Sequence, residues 1–313
     1  MEHDHSVVTF LTVDAAFAGQ RLDNFLLARL KGLPRSRLYR LLRRGEVRVN
    51  KGRVRPSYRV NGGDVVRVPP LRLSAPAQVA TVPDKLVAQL EAAIIYEDER
   101  FLAINKPCGL AVHGGSGVRL GLIEALRQIR TDEASLELVH RLDRDTSGCL
   151  LVAKKRSALK QAHEALRLKQ AEKHYLAMVA GRWPPGLNRV NAPLKKNVLQ
   201  SGERMVTVAA DGKRSCTRFD VRRRIGTFSL LDAWPETGRT HQIRVHAQSA
   251  GFPLCGDVKY GNDATNAELK QAGFRELFLH AAGLAMDIDG KALRIECEPP
   301  GFWQRFEEQF SSE

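Results

Sequence analysis

The ten residues VHRLDRDTSG, Val139–Gly148, place two carboxylates close together, Asp143 and Asp145, with Arg141 and Arg144 beside them. An apolar run, GCLLVAK, follows at once. The polar groups therefore stand at the edge of a buried strand, where sites commonly sit. A carboxylate there serves as nucleophile, acid, base or ion-pair partner. The same residue types also fit a plain cluster of structural ion pairs. A glycosidase-like pair of acids is a further reading, but residues this near in sequence meet its geometry only by fortunate folding.

Two other stretches carry chemistry. ETGRTHQIRVH, 236–246, has Gly238 for a tight turn and Arg239 beside the first amides of a helix, a place suited to phosphate. Arg239 and Arg244 are five residues apart, so on a helix they point in different directions. One is free to face a substrate backbone and the other a buried partner, or both are merely solvated. EKHYLAMVAG sets Tyr175 in a strand pattern, where a tyrosine is core or, in a pocket, a platform for a base.

The elements that must position these groups are legible as patterns. AAIIYED, FLAINK, GCLLVAKK, KHYLAMVAG, TRFDVRRR, TFSLLDAW, LFLHAAGLAM and LRIECE read as strands. LIEALRQI and SALKQAHEALRLK read as helices, and RTHQIRVHAQSAG as a helix ending at Gly251 with Thr240 as a cap. Strands with hairpin-length turns and occasional helices predict an α+β fold around a mixed, largely antiparallel sheet. No GxGxxG or GxxxxGK[ST] occurs, so no nucleotide cofactor is expected.

The chain has 313 residues, 43% of them hydrophobic, and a formal net charge of +14. That charge favours a polyanionic partner. Its placement says more. Gly19–Arg72 holds 15 Lys+Arg against 3 Asp+Glu, a net of +12, which leaves +2 for the rest. Within this segment Leu22–Leu30 has helical spacing, with Asp23 and Asn24 near its start. Pro34-Arg35-Ser36 then opens a second helix, with Ser36 as N-cap and Gly45 as its stop. Leu38, Leu41 and Leu42 make an apolar stripe. Arg37, Arg40 and Arg44 share another face, with Arg35 nearby. EVRVN and DVVRV add short strands. Such a small module has little core of its own and reads as an attached binding unit whose arginines hold phosphates.

The five cysteines are scattered without a CxxC, and the nine histidines include no HExxH. No metal site is expected. No stretch is long and apolar enough for a membrane span, and the first residues lack a secretion-signal pattern. The expectation is a cytoplasmic protein in four parts: an arm at 1–18, the basic module at 19–72, a linker at 73–86 and a catalytic domain at 87–313.

VHRLDRDTSG, KHYLAMV, TGRTHQIRVH and FPLCGDVKYG, in this order, resemble the RluA-type pseudouridine synthases, as do INKPCGLAVH and LFLHAAGLAM. The basic module resembles the S4 RNA-binding domain fused to several members. The resemblance covers roughly residues 15 to 305. It implies a pseudouridine synthase domain, uridine isomerisation in RNA, and no cofactor, because the reaction loses no atom and passes no electrons out. It implies Asp143 as nucleophile, Arg244 as the cation that keeps it charged, and Tyr175 against the target base. It implies Arg141 as the wedge that fills the place of a flipped uridine, and Arg239 near the RNA backbone. LKKNVLQSGERMV, 194–206, is most similar to the members acting on large-subunit (23S) ribosomal RNA, free or in assembly intermediates. A monomer is the accompanying expectation. Other ribosomal targets within the family, or an assembly factor with a dead synthase domain, are the alternatives. Cys108 and Cys149 stand where the family commonly has other small residues.

Overall fold

The computed structural model describes residues 7–30, 32–71, 81–114, 118, 120–133, 135–198 and 204–311. The chain divides into two compact units, Met1–Ala80 and Thr81–Glu313. Residues 73–80 of the expected linker, 73–86, lie outside the described residues.

The first unit begins with a strand where an arm was expected. β1 (Thr9–Thr12) forms one edge of a small antiparallel sheet, and Val13 is buried behind it. α1 (Leu22–Arg29) and α2 (Arg35–Arg44) follow, then β2 (Arg48–Val49) and β3 (Val65–Val68), in sheet order β1-β3-β2. Leu22, Phe25, Leu26, Leu38, Leu42 and Val66 form its core. α2 ends as its sequence dictates. Gly45 takes the left-handed conformation at φ 70°, and its amide reaches back to Leu41 and Leu42.

The expected start of α2 is corrected. The helix opens at Arg35 after Pro34, and Ser36 makes no capping bond. Proline already fixes the entry angle and has no amide to satisfy. Asp23 lies near the start of α1, as expected, and is buried. It accepts from Arg21, from the Tyr39 hydroxyl and from the Asn24 amide. The Arg21 hydrogen bond, partly opposed by burial, pulls its pKa down to about 2.

The second unit is built on a ten-stranded sheet. Its first half comprises α3 (Asp84–Ala92), β4 (Ile94–Glu97), β5 (Phe101–Lys106), α4 (Leu122–Ile129), β6 (Glu137–Leu138), β7 (Ser147–Ala153) and α5 (Arg156–Arg167). β8 (Ala171–Ala180), β9 (Arg189–Asn191), and a separate hairpin of β10 (Leu194–Val198) and β11 (Arg204–Val208) come next. β12 (Cys216–Ile225), β13 (Phe228–Pro235), α6 (Gln242–Ser249), α7 (Asp263–Gln271), β14 (Leu279–Ile288), β15 (Lys291–Glu296) and α8 (Phe302–Phe310) complete it. The order is β4-β5-β7-β14-β8-β13-β12-β9, with β15 on β14 and β6 on β7. Every pairing is antiparallel except β7 with β14. The expected α+β class and largely antiparallel sheet are what the chain forms.

Strand alternation divides the core between two faces. Leu150, Val152, Ala177, Val179, Leu231 and Ala233 pack on the face that receives α4 and α6. Leu176, Met178 and Leu230 pack on the other face against Phe302 and Phe306 of α8. Tyr175 lies on the α6 side, buried.

The parallel contact between β7 and β14 fixes the end of the loop that carries Asp143 and Asp145. Ser147 pairs with His280 and Gly148 with Ala281. Gly148 has φ 110°, and a Cβ there would lie 2.3 Å from the Ala281 carbonyl oxygen. Only glycine permits that approach. Ser147 adds a 2.9 Å hydrogen bond to His280 Nδ1. The Ser-Gly after the aspartates is thus a docking device for β7.

Candidate active site

The loop 139–146 enters β7 already pinned along its length. Val139 N–H donates to Leu151, the Leu151 amide donates to His140 Nε2, and Leu142 is buried. Lys106, fully buried at the end of β5, donates from Nζ to the carbonyls of Pro107, Leu110 and Arg144, each at 2.9 Å. Cys108 Sγ donates to the Asp145 carbonyl at 2.9 Å. Burial lowers the Lys106 pKa to about 8, which leaves it charged at neutral pH. The sequence INKPC therefore clamps the backbone on the C-terminal side of Asp143.

The two carboxylates of the loop separate. Asp145 pairs with its neighbour Arg144 at 3.1 Å on the surface. Asp143 is half-buried and faces His241, whose Nε2 is 3.8 Å from Oδ2. A local charge cluster thus accounts for Asp145 and not for Asp143.

A pocket of about 250 Å³ opens over this loop. Arg141, Asp143, Tyr175 and Arg239 all line it, together with His140, Lys173 and His241. Four of the residues singled out in the sequence are brought together here. Arg141 and Arg239 are exposed at its edge. Tyr175 is buried, and desolvation, with help from the Asp143 carboxylate, pushes its phenol pKa up. It is neutral at physiological pH, which favours contact with a base over service as a phenolate.

Arg244 is not in the pocket wall. It lies behind it, buried, and donates through Nε and Nη2 to Asp257 at 2.7 Å each. Its ion pair is with Asp257, and Asp143 is not among its hydrogen-bond partners. The reason is geometric, since a planar guanidinium and a carboxylate match two bonds at once. Burial works against the Asp257 carboxylate, but the Arg244 bonds and charge and the amides of Tyr260 and Lys259 outweigh it, so its pKa is lowered. Arg244 is raised in turn: burial opposes its charge, while Asp257 chiefly, and Asp143 after it, favour it. Arg244 thus feels Asp143 electrostatically while bonding Asp257.

The start of α6 also differs from expectation. The helix begins at Gln242 and Thr240 is not its cap. His241 occupies that place with φ 53°, a left-handed conformation uncommon outside glycine. No side chain caps the helix, and Gln242 instead ties the segment before it. Its Oε1 accepts from Thr237 Oγ1 and the Arg239 amide, and its Nε2 donates to Cys216 O and Thr217 Oγ1. This arrangement leaves Arg239 exposed and Arg244 buried; Arg239 precedes the helix, so their divergence comes from the turn and not from helical spacing. Gly238 does not use a positive φ; its missing side chain leaves the pocket rim open.

In the first unit, Arg35, Arg40 and Arg44 are exposed on α2 and Arg37 is half-buried, opposite the buried leucines. Arg44 lies 3.8 Å from Glu46. Of LKKNVLQSGERMV, residues 199–203 lie outside the described residues; the flanks pair as β10 and β11.

No group of three or more His, Cys, Asp or Glu residues placed to hold a metal occurs among the described residues. No described helix is long and apolar enough to cross a membrane.

Lys106, His241, Asp257 and Tyr260 belong to the site, and sequence reasoning misses all four. The one available signal is that each lies inside a motif shared with the pseudouridine synthases. Their roles depend on partners far along the chain, such as Tyr260 with Val206 and Lys106 with Arg144.

Asp143 and the buried Tyr175 line one small pocket, on a chain that also carries a basic module. The sequence profile of the RNA pseudouridylate synthase family matches residues 100–249, and that of the S4 domain matches residues 20–66. The chain is 53% identical to ribosomal large subunit pseudouridine synthase C of Yersinia pestis over 95% of its own length and 93% of that protein. It is 55% identical to the protein of the same name from Haemophilus ducreyi, covering 90% and 88%. It is similar in structure to human RNA pseudouridylate synthase domain containing 4 (TM-score 0.61, 25% identity, 72% of this chain and 96% of that one). The human domain containing 1 protein is likewise similar (TM-score 0.56, 26% identity, 69% and 86%). The chain belongs to the RNA pseudouridylate synthase family, enzymes that isomerise uridine to pseudouridine in RNA, and carries an N-terminal S4 domain.

Proposed function

We propose that this enzyme converts specific uridines of large-subunit (23S) ribosomal RNA to pseudouridine, with Asp143 as the nucleophile. The observation that carries the chemistry is the position of Asp143. It is the carboxylate of the pocket, held on a clamped loop, with Tyr175 also in the wall. The RNA target is supported by relatives at 51–55% identity that bear the name ribosomal large subunit pseudouridine synthase C.

The reaction breaks the C1′–N1 bond, forms C1′–C5, moves a proton from C5 to N1 and loses nothing. Asp143 attacks either C1′, expelling uracil as an anion, or C6 of the base. On the first route C5 of the uracil anion attacks C1′ and displaces the carboxylate, and the C5 proton then departs. On the second the C1′–N1 bond of the C6 adduct breaks, C5 bonds C1′, and loss of the C5 proton expels the carboxylate from C6. On either route N1 takes a proton. A covalent hold on one half keeps the pieces together while the base turns. Tyr175 presses on the base, and Arg141, exposed at the rim, fills the stack that the flipped uridine vacates. Arg239 contacts the backbone. Arg244 works from behind: paired with Asp257, it keeps positive potential under Asp143.

The basic unit serves as tether. Arg35, Arg37, Arg40 and Arg44 hold phosphates, and the tether raises the effective concentration of uridines at the catalytic unit. The enzyme acts in the cytoplasm as a monomer, on ribosomal RNA free or in assembly intermediates. The test is pseudouridine formation in large-subunit ribosomal RNA by the protein and by Asp143→Ala. Release of free uracil would point instead to glycoside hydrolysis.

A further inference from the structure

The pocket holds a second side chain on Asp143 that the reaction scheme leaves unused. We infer that His241 is a positioning residue for Asp143, presenting a fixed Nε2–H to the carboxylate and holding it in the orientation from which it attacks. This rests on Asp143 being the nucleophile.

The argument starts from the tautomer. His241 Nδ1 lies 2.7 Å from the Tyr260 hydroxyl, and that hydroxyl accepts from the Val206 amide at 3.0 Å. With the amide proton occupying one side of the oxygen, the Tyr260 proton is left to donate to Nδ1. No other acceptor for it occurs among the described residues. Nδ1 is then the acceptor nitrogen, and the ring proton sits on Nε2. The opposite tautomer would aim the bare Nε2 lone pair at a carboxylate, which is repulsive.

The direction is built into the backbone. His241 holds φ 53°, in the left-handed region, in the turn that leads into the first residue of α6. A residue other than glycine stays there when its surroundings over-determine it, and such sites cluster where function requires them. The Tyr260 ring meets the imidazole edge-on, with centroids 5.4 Å apart. Tyr260 itself is buried, and its amide is tied to Asp257, the partner of Arg244. The chain Val206–Tyr260–His241–Asp143 therefore runs from β11 to the nucleophile. The 3.8 Å gap is longer than a hydrogen bond. Catalytic contacts often tighten once substrate is bound.

Five groups face the imidazole: Asp143 from the loop, Arg244 from α6, and Asp257, Lys259 and Tyr260 from the segment after it. Burial lowers the His241 pKa, Arg244 and Lys259 lower it further, and Asp143 and Asp257 oppose them; the net shift is downward. A neutral imidazole orients the carboxylate without sequestering it in a full ion pair.

The test compares the full-length protein with His241→Leu, His241→Gln, Tyr260→Phe and Asp143→Asn, using a large-subunit ribosomal RNA transcript. Single-turnover pseudouridine formation, RNA affinity and melting temperature are read for each. His241→Leu is expected to slow the single-turnover rate by about 10–100-fold, the usual cost of losing an orienting partner, with RNA affinity unchanged. His241→Gln, whose terminal amide nitrogen replaces Nε2–H, is expected to recover most of that rate. Tyr260→Phe should slow it less and shift its pH profile, because the tautomer is no longer fixed. A wild-type rate in His241→Leu overturns the inference. So does a His241→Gln protein as slow as His241→Leu with intact RNA affinity. If His241→Leu does not fold, a Tyr260→Phe rate and pH profile equal to wild type overturns it. Asp143→Asn separates the two levels. If it stays active, the nucleophile assignment fails first; if it is dead while His241→Leu is fast, only the role of His241 fails.

Discussion

Arg244 grips Asp257 through two hydrogen bonds of 2.7 Å, with both side chains almost wholly buried. The consequence is a division of labour behind the pocket. Asp257 pairs with Arg244 directly, and Asp143 faces the pocket. Removing the arginine leaves a buried carboxylate without its partner. Arg244→Met is therefore expected to cost about 3–5 kcal/mol of stability, besides slowing catalysis. Arg244→Lys keeps charge but loses the two-pronged fit, and its loss should be smaller. Denaturant titration of the three proteins checks both statements.

Gly148→Ala tests the docking of β7 on β14. The new Cβ would lie 2.3 Å from Ala281 O at a backbone φ of 110°. Overpacking and backbone strain together predict a loss of about 2–6 kcal/mol. A melting temperature equal to that of the parent would show that the two strands separate at little cost.

Acid should destabilise the enzyme before its carboxylates protonate. Burial lowers His280 from 6.5 to about 4 and His140 from 6.5 to about 3. Between those values and 6.5 the unfolded chain binds more protons than the folded one, so stability falls as pH falls through that window. Each histidine contributes up to about 1.4 kcal/mol per pH unit. Chemical denaturation at a series of pH values measures the slope, and His280→Gln should flatten it.

The arginines of α2 should act on binding and not on chemistry. Replacing Arg35, Arg40 and Arg44 by alanine removes exposed charge opposite a buried leucine stripe. RNA affinity should fall, and the salt dependence of binding should lessen by roughly 0.7–0.9 in slope for each phosphate no longer neutralised. The single-turnover rate on saturating RNA should hold. An unchanged salt slope would place the RNA elsewhere on the protein.

These expectations draw unequally on the sequence. The strands GCLLVAKK and KHYLAMVAG and the left-handed stop at Gly45 are legible, because each follows from local periodicity or a residue's own conformational freedom. Asp143 and Tyr175 stand out in the sequence by motif, and one pocket holds them both. The bond between Arg244 and Asp257 is not legible. Both residues lie in motifs of the family, yet nothing local distinguishes Asp257 from Asp143 as the partner of a buried arginine. The left-handed start of α6 is hidden for a related reason. Thr240 has the better capping chemistry, but the chain enters the helix through His241, and Gln242 reaches back to tie the preceding segment at Thr237 and Arg239. β1 is concealed inside an apparent arm, since four residues carry too short a pattern to read.

The most direct test is a map of pseudouridines in large-subunit ribosomal RNA after incubation with the purified protein, beside Asp143→Ala. The expected result is new pseudouridine at defined uridines with the intact protein and none with the variant, at equal RNA binding. Pseudouridine formed by Asp143→Ala would contradict the assignment of the nucleophile. None formed by either protein, while both bind the RNA, would contradict large-subunit ribosomal RNA as the substrate.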